Sequence, residues 1–147
     1  MTNTYPVISI VNGEPTFEKP LQAILGELER GGAIRLLSPL EHHTDRQRRW
    51  YKGVCLPHLV QNDENGETAG WWDTELKREC NGLALLKKEI FFIDDGTGGR
   101  IGVGRLTIKG VGKRNMTAFI NEILSKSLSK GWNISPPDED LRSKEHA

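Results

Sequence analysis

Residues 89–131, EIFFIDDGTGGRIGVGRLTIKGVGKRNMTAFINEILSKSLSKG, decide the fold class. Two runs of strand length, 89–93 and 101–108, flank the turn-forming segment Asp94-Asp95-Gly96-Thr97-Gly98-Gly99, which predicts a β-hairpin with a flexible loop. Gly102 and Gly104 weaken the second strand or mark a close backbone approach. The apolar period then changes: Met116, Phe119, Ile120, Ile123, Leu124 and Leu128 recur at helical spacing, with Glu122 and Lys126 paired on the opposite face. Gly131 followed by Trp132 is a helix stop, so a helix is predicted over 113–130.

Upstream, the same rules give shorter elements. Residues 6–11 and 14–18 flank Asn12-Gly13, a type I′ turn signal, and predict a hairpin whose second strand is weakened by Pro15. Pro20 starts a short helix with Leu21, Ile24, Leu25 and Leu28 on one side, and Gly31-Gly32 end it. Residues 33–37 read as a strand closed by Ser38-Pro39. Thr44 with Gln47 three residues later reads as the cap of a longer helix, which Pro57 should kink. Residues 61–70 form a polar loop, and Asp73 is taken to cap a helix through about Leu85 with Leu76, Cys80 and Leu83 inward. The fold class is therefore α+β: a small mixed sheet built from hairpins, packed on three or four helices. One domain over 1–135 is expected, since single cores divide only beyond about 250 residues, and 136–147, opening on Pro136-Pro137, reads as a flexible tail.

The formal net charge is zero, so the protein as a whole exerts no pull on a polyanion, and any attraction must come from clustering. Between Thr44 and Lys52 stand four cations, Arg46, Arg48, Arg49 and Lys52, against Asp45. From Arg105 to Lys130 stand six, Arg105, Lys109, Lys113, Arg114, Lys126 and Lys130, against Glu122, and the chain turns acidic at Asp138, Glu139 and Asp140. Arg46, Arg48, Arg49 and Lys52 read as phosphate contacts or as a solvated helix face. Lys113 and Arg114 are more informative, because cations at a helix start oppose its dipole, while the free amides after Gly110-Val111-Gly112 favour an anion. Trp71 and Trp72 are adjacent aromatics that cannot both face one core, so one, for which Trp72 is the candidate, is open to stack on a base or contact a subunit.

Three features together resemble the phage recombination family called NinB or Orf. TDRQRRWYKGVCLPHL at 44–59 is similar to that family's helix of a hydroxyl cap followed by Gln, Asn, Arg and an aromatic, with Arg48 standing where Asn is usual. The amphipathic helix from Met116, preceded by Gly112 where a hydroxyl is favoured, runs into GWNISPPDED at 131–140, and the order and spacing of the two segments match over 44–140. The resemblance implies a small α+β homodimer that binds single-stranded DNA and assists recombinase loading. It also suggests the acidic tail of a single-stranded-DNA-binding protein as a partner.

Other chemistries leave weaker marks. There is no nucleophile elbow, P-loop or dinucleotide fingerprint, so no catalytic residue and no cofactor is assigned. A metal-dependent nuclease would have to use Asp94 or Asp95, which turn chemistry explains better, and Cys55, His58 and Cys80 lack a fourth metal ligand. An adaptor that binds a protein without touching DNA is the remaining alternative. The start, MTNTYPVISIVNG, does not read as a signal peptide, no apolar run reaches membrane length, and two cysteines without CxxC spacing suit a reducing compartment. A cytoplasmic location without membrane contact is expected, in the host cell if the chain is phage-encoded.

Overall fold

The computed structural model describes residues 3–81 and 85–143 and is α+β. The chain divides into two compact units, Met1–Leu36 and Leu37–Ala147.

In the first unit, β1 (Ser9–Val11) and β2 (Glu14–Thr16) pair antiparallel around Asn12 and Gly13, whose φ of 52° and 79° make the primed turn that Asn-Gly favours. Pro20 then caps α1 (Leu21–Leu25) instead of occupying its first turn. The helix is shorter than its apolar spacing suggests, because it buries none of its residues and has no packed face to extend it. Tyr5, Asn3 and Lys19 gather on the Glu27 carboxylate. The strand expected over 33–37 is absent: this stretch forms no regular element and has no partner strand, and Leu36 is 90% exposed.

The second unit holds the core. Ser38 caps α2 (Pro39–Trp50), accepting the Glu41 amide at 3.1 Å with Pro39 in the first turn. Thr44 is therefore not a cap. Ser38-Pro39-x-Glu41 supplies a hydroxyl, a proline and an acid in the order a helix start prefers, and Thr44 instead turns its hydroxyl back onto the carbonyls of Leu40 and Glu41. Gln47 is fully buried and donates to Thr117 Oγ1 and the Leu141 carbonyl, both at 2.9 Å.

Ahead of Pro57, where a kink is expected, the helix widens into a π turn, Tyr51–Cys55, that leads into α3 (Leu56–Gln61). Pro57 has no N–H to give the preceding turn, and widening that turn accommodates the missing bond. α4 (Ala69–Glu79) is capped by Thr68, not Asp73. Asp73 lies inside the helix, where it accepts from the Tyr51 hydroxyl and from Lys77. Leu83, expected inward, lies outside the described residues.

β3 (Lys87–Asp94) and β4 (Arg100–Thr107) form the expected hairpin, and each hairpin is a separate two-stranded sheet among the described residues. α5 (Lys113–Lys130) starts at Gly112 and ends at Gly131, whose φ of 70° is the left-handed stop. Met116, Phe119, Ile120 and Ile123 are fully buried against Tyr51, Cys55, Leu76 and Cys80. Leu128, expected in that stripe, is 87% exposed. The 3.6-residue period puts Ser127 on the line of Ile120 and Ile123, and the buried Ser127 hydroxyl accepts the Ile134 amide.

The stretch from Pro136 that composition marks as a mobile tail is anchored over its described part. Leu141 is buried and its carbonyl accepts from Gln47 at 2.9 Å, and Asn121 donates to the Arg142 carbonyl at 2.9 Å. No helix among the described residues is long and apolar enough to cross a membrane.

Candidate nucleic-acid interface

The four cations of α2 and the turn after it have four different fates. Arg46 forks onto the acidic C-terminal stretch, with Nη1 at 2.9 Å from Asp140 and Nη2 at 3.1 Å from Asp138. Burial pulls the Asp140 carboxyl up, but the hydrogen bonds and charge of Arg46 outweigh it and hold the group below its ordinary range. Arg46 is thus committed to its own chain. Arg49 pairs with Asp45 one turn back on an exposed face.

Arg48 does something else. It donates Nη2 to the Val111 carbonyl at 3.1 Å and Nε to the Ile108 carbonyl at 3.4 Å. Both acceptors are neutral, so the guanidinium organises the loop between β4 and α5 while keeping its charge. Lys52, one turn further on, is exposed and has no ion pair among the described residues.

The loop pinned by Arg48 carries most of the second basic segment. Lys109 and Arg114 are exposed and Lys113 is half-buried, and none of the three has an acid partner among the described residues. Lys87, which no sequence motif singles out, joins them. Its ammonium lies 3.3 Å from where a Cβ on Gly110 would stand, and Gly110 has φ of 73°. A side chain at Gly110 would be strained by its backbone and would crowd Lys87. The available signal for Lys87 is the Lys87-Lys88 pair at the foot of β3, whose register places Lys87 opposite Thr107, beside this loop.

At the start of α5 no side chain caps the first amides and no acid stands in the first turn. Free amides, the positive helix end and the cations Arg48, Lys87, Lys109, Lys113 and Arg114 therefore converge on 108–114 and favour a bound anion. Lys126 and Lys130 lie at the other end of α5, where Lys126 pairs with Glu79.

Trp72 is not the open member of its pair. Its indole Nε1 donates to Asp63 at 2.9 Å, and its ring packs edge-on against Trp132, centroids 5.5 Å apart. Trp71 is 42% exposed and stands edge-on to Trp72. The positions split this way because Leu76, four residues after Trp72, is the inward residue of α4.

The residues considered for catalysis are placed by local chemistry. Asp94 accepts the Gly96 amide, and Asp95 accepts the Thr97 hydroxyl and the amides of Thr97 and Gly99, which holds the Asp95 carboxyl below its ordinary range. Burial pushes the Cys55 thiol up to about 12 and the Cys80 thiol to about 11. His58 Nε2 lies 2.6 Å from the Trp132 carbonyl. Among the described residues, no group of three or more His, Cys, Asp or Glu side chains could hold a metal ion. No protein-family model, no curated protein and no solved structure matches the chain.

Proposed function

We propose that this chain binds single-stranded DNA through the basic surface around residues 108–114 and serves as an accessory in phage-type recombination, assisting recombinase loading. The observation that carries the reading is Arg48, which ties α2 to the Ile108 and Val111 carbonyls and so joins the two basic segments while keeping its own charge. A net charge of zero makes this local surface the main source of attraction for a phosphate chain. Lys and Arg contacts to phosphate carry no base information, so binding should be tolerant of sequence. Trp71 is the aromatic available to stack on a base. The recombination role and the cytoplasm of a host cell as its setting rest on the resemblance of 44–140 to the NinB or Orf family.

The reading is tested by fluorescence anisotropy with labelled single-stranded and duplex oligonucleotides, run in parallel with a cleavage assay in magnesium. Single-strand binding without cleavage is the expected result. Cleavage dependent on Asp94 or Asp95 would support a nuclease instead. Retention of an acidic peptide without any DNA affinity would support an adaptor.

A further inference from the structure

The hairpin of β3 and β4 is anchored at its foot by the buried residues Leu86 and Ile108, but beyond the foot it leaves apolar side chains in water. Ile90 and Phe92 are 66% and 67% exposed, on the face where Phe92 lies across Gly102. Neither edge of the hairpin bonds to another strand among the described residues. A two-stranded ribbon with bare edges and apolar faces is marginal in water and is a template for further pairing.

The register shows which backbone groups face outward. The Asp95 amide donates to the Gly99 carbonyl, which makes 95 and 99 a hydrogen-bonded pair. Such pairs alternate along an antiparallel ladder, so the odd-numbered residues of β3 bond to β4. The amides and carbonyls of Lys88, Ile90, Phe92 and Asp94 therefore point to the open edge.

From this edge we infer that β3 pairs antiparallel with β3 of a second copy of the chain, about a two-fold axis through Phe91, giving a continuous sheet in the order β4–β3–β3–β4. In this register the outward groups bond to one another: Lys88 stands opposite Asp94 of the other copy, and Ile90 opposite Phe92. About eight backbone hydrogen bonds form. With Lys88 against Asp94 and Phe91 facing its own copy, the edge is complementary to itself in charge and in apolar surface, as a two-fold interface requires. The edge of β4 lacks this property: its arginines, Arg100 and Arg105, find no acid on the same strand.

Sedimentation equilibrium of the full chain tests the pairing. The protein is expected to dimerise. Lys88→Asp and Asp94→Lys, each of which places like charges opposite one another twice, should each weaken the dimer by about tenfold or more. An equimolar mixture of these two variants should recover dimer, because every mixed contact is again opposite in charge, and misfolding of either variant cannot produce that recovery. Ile90→Pro removes an outward amide while sparing the hairpin's own bonds, so it should leave the protein folded and monomeric. A wild-type chain that stays monomeric at about 100 µM overturns the inference and leaves the edge to a strand of another protein. So does a Lys88→Asp variant that dimerises like the wild type.

Discussion

Three arginines within one turn of α2 illustrate how one residue type can carry three kinds of work. Arg48 makes charged hydrogen bonds to two backbone carbonyls, and such bonds contribute about 1.5 to 3 kcal/mol. Arg48→Ala is accordingly expected to lower stability within that range, read as a urea midpoint, and to weaken oligonucleotide binding by releasing the 108–114 loop. Arg46→Ala should cost less, about 1 kcal/mol or below, because its carboxylate partners are substantially exposed. Its signature is pH. The Asp140 carboxyl lies below its ordinary value of 3.8 when folded, so the clamp's contribution is present above that value and is lost as pH falls through the lower, folded one. Arg46→Ala should therefore narrow the stability difference between neutral and acid solution. Arg46, Arg48 and Arg49 are all visible as cations in the sequence, but their partners are not. Asp138 and Asp140 lie more than ninety residues from Arg46, and the acceptors of Arg48 are backbone carbonyls that no side-chain pattern records. The cysteines behave as burial dictates: Cys55 and Cys80 should resist a thiol reagent in the native protein at pH 8 and react once denatured. Prompt labelling of the native chain would contradict the packing described for them.

The elements are legible where local chemistry and the core agree. α5 has both its ends written in glycine, Gly112 and Gly131, and an apolar stripe that the core accepts from Met116 to Leu124, so its expected and observed bounds coincide. Where two signals compete, capping spacing alone does not rank them. Ser38 and Thr44 both precede a Glu or Gln at the capping spacing, and Ser38 prevails because Pro39 follows it. α4 is capped by Thr68 and not by Asp73, because the interior draws Asp73 to the Tyr51 hydroxyl. The apolar residues at 33–37 spell a strand, yet a strand exists only with a partner, and none is there among the described residues. At the start of α5, Lys113 and Arg114 oppose the helix dipole, each typically costing about 0.3 to 1 kcal/mol. Replacing both with Glu is therefore expected to leave the thermal midpoint unchanged or slightly raised. A clear fall would assign these side chains a structural role.

At the scale of the whole molecule, what matters is the distribution of charge and not its sum. A chain with no net charge holds Asp138 and Asp140 against Arg46 and leaves Arg48, Lys52, Lys87, Lys109, Lys113 and Arg114 without acid partners among the described residues. The segregation can be read from the sequence. The meeting of the two basic segments cannot, because it depends on one long-range contact from Arg48 and on the register that sets Lys87 beside Gly110. A phosphate chain bound there releases counterions, so its affinity must fall as salt rises. The most direct measurement is the slope of log affinity against log salt for a single-stranded oligonucleotide, compared between the wild type and the Lys113→Glu, Arg114→Glu double variant. Binding should weaken sharply in the variant, with the slope shallower by up to about 0.7 for each phosphate that the protein no longer neutralises. Wild-type affinity and an unchanged slope in the double variant would contradict the assignment of 108–114 as the DNA-binding surface.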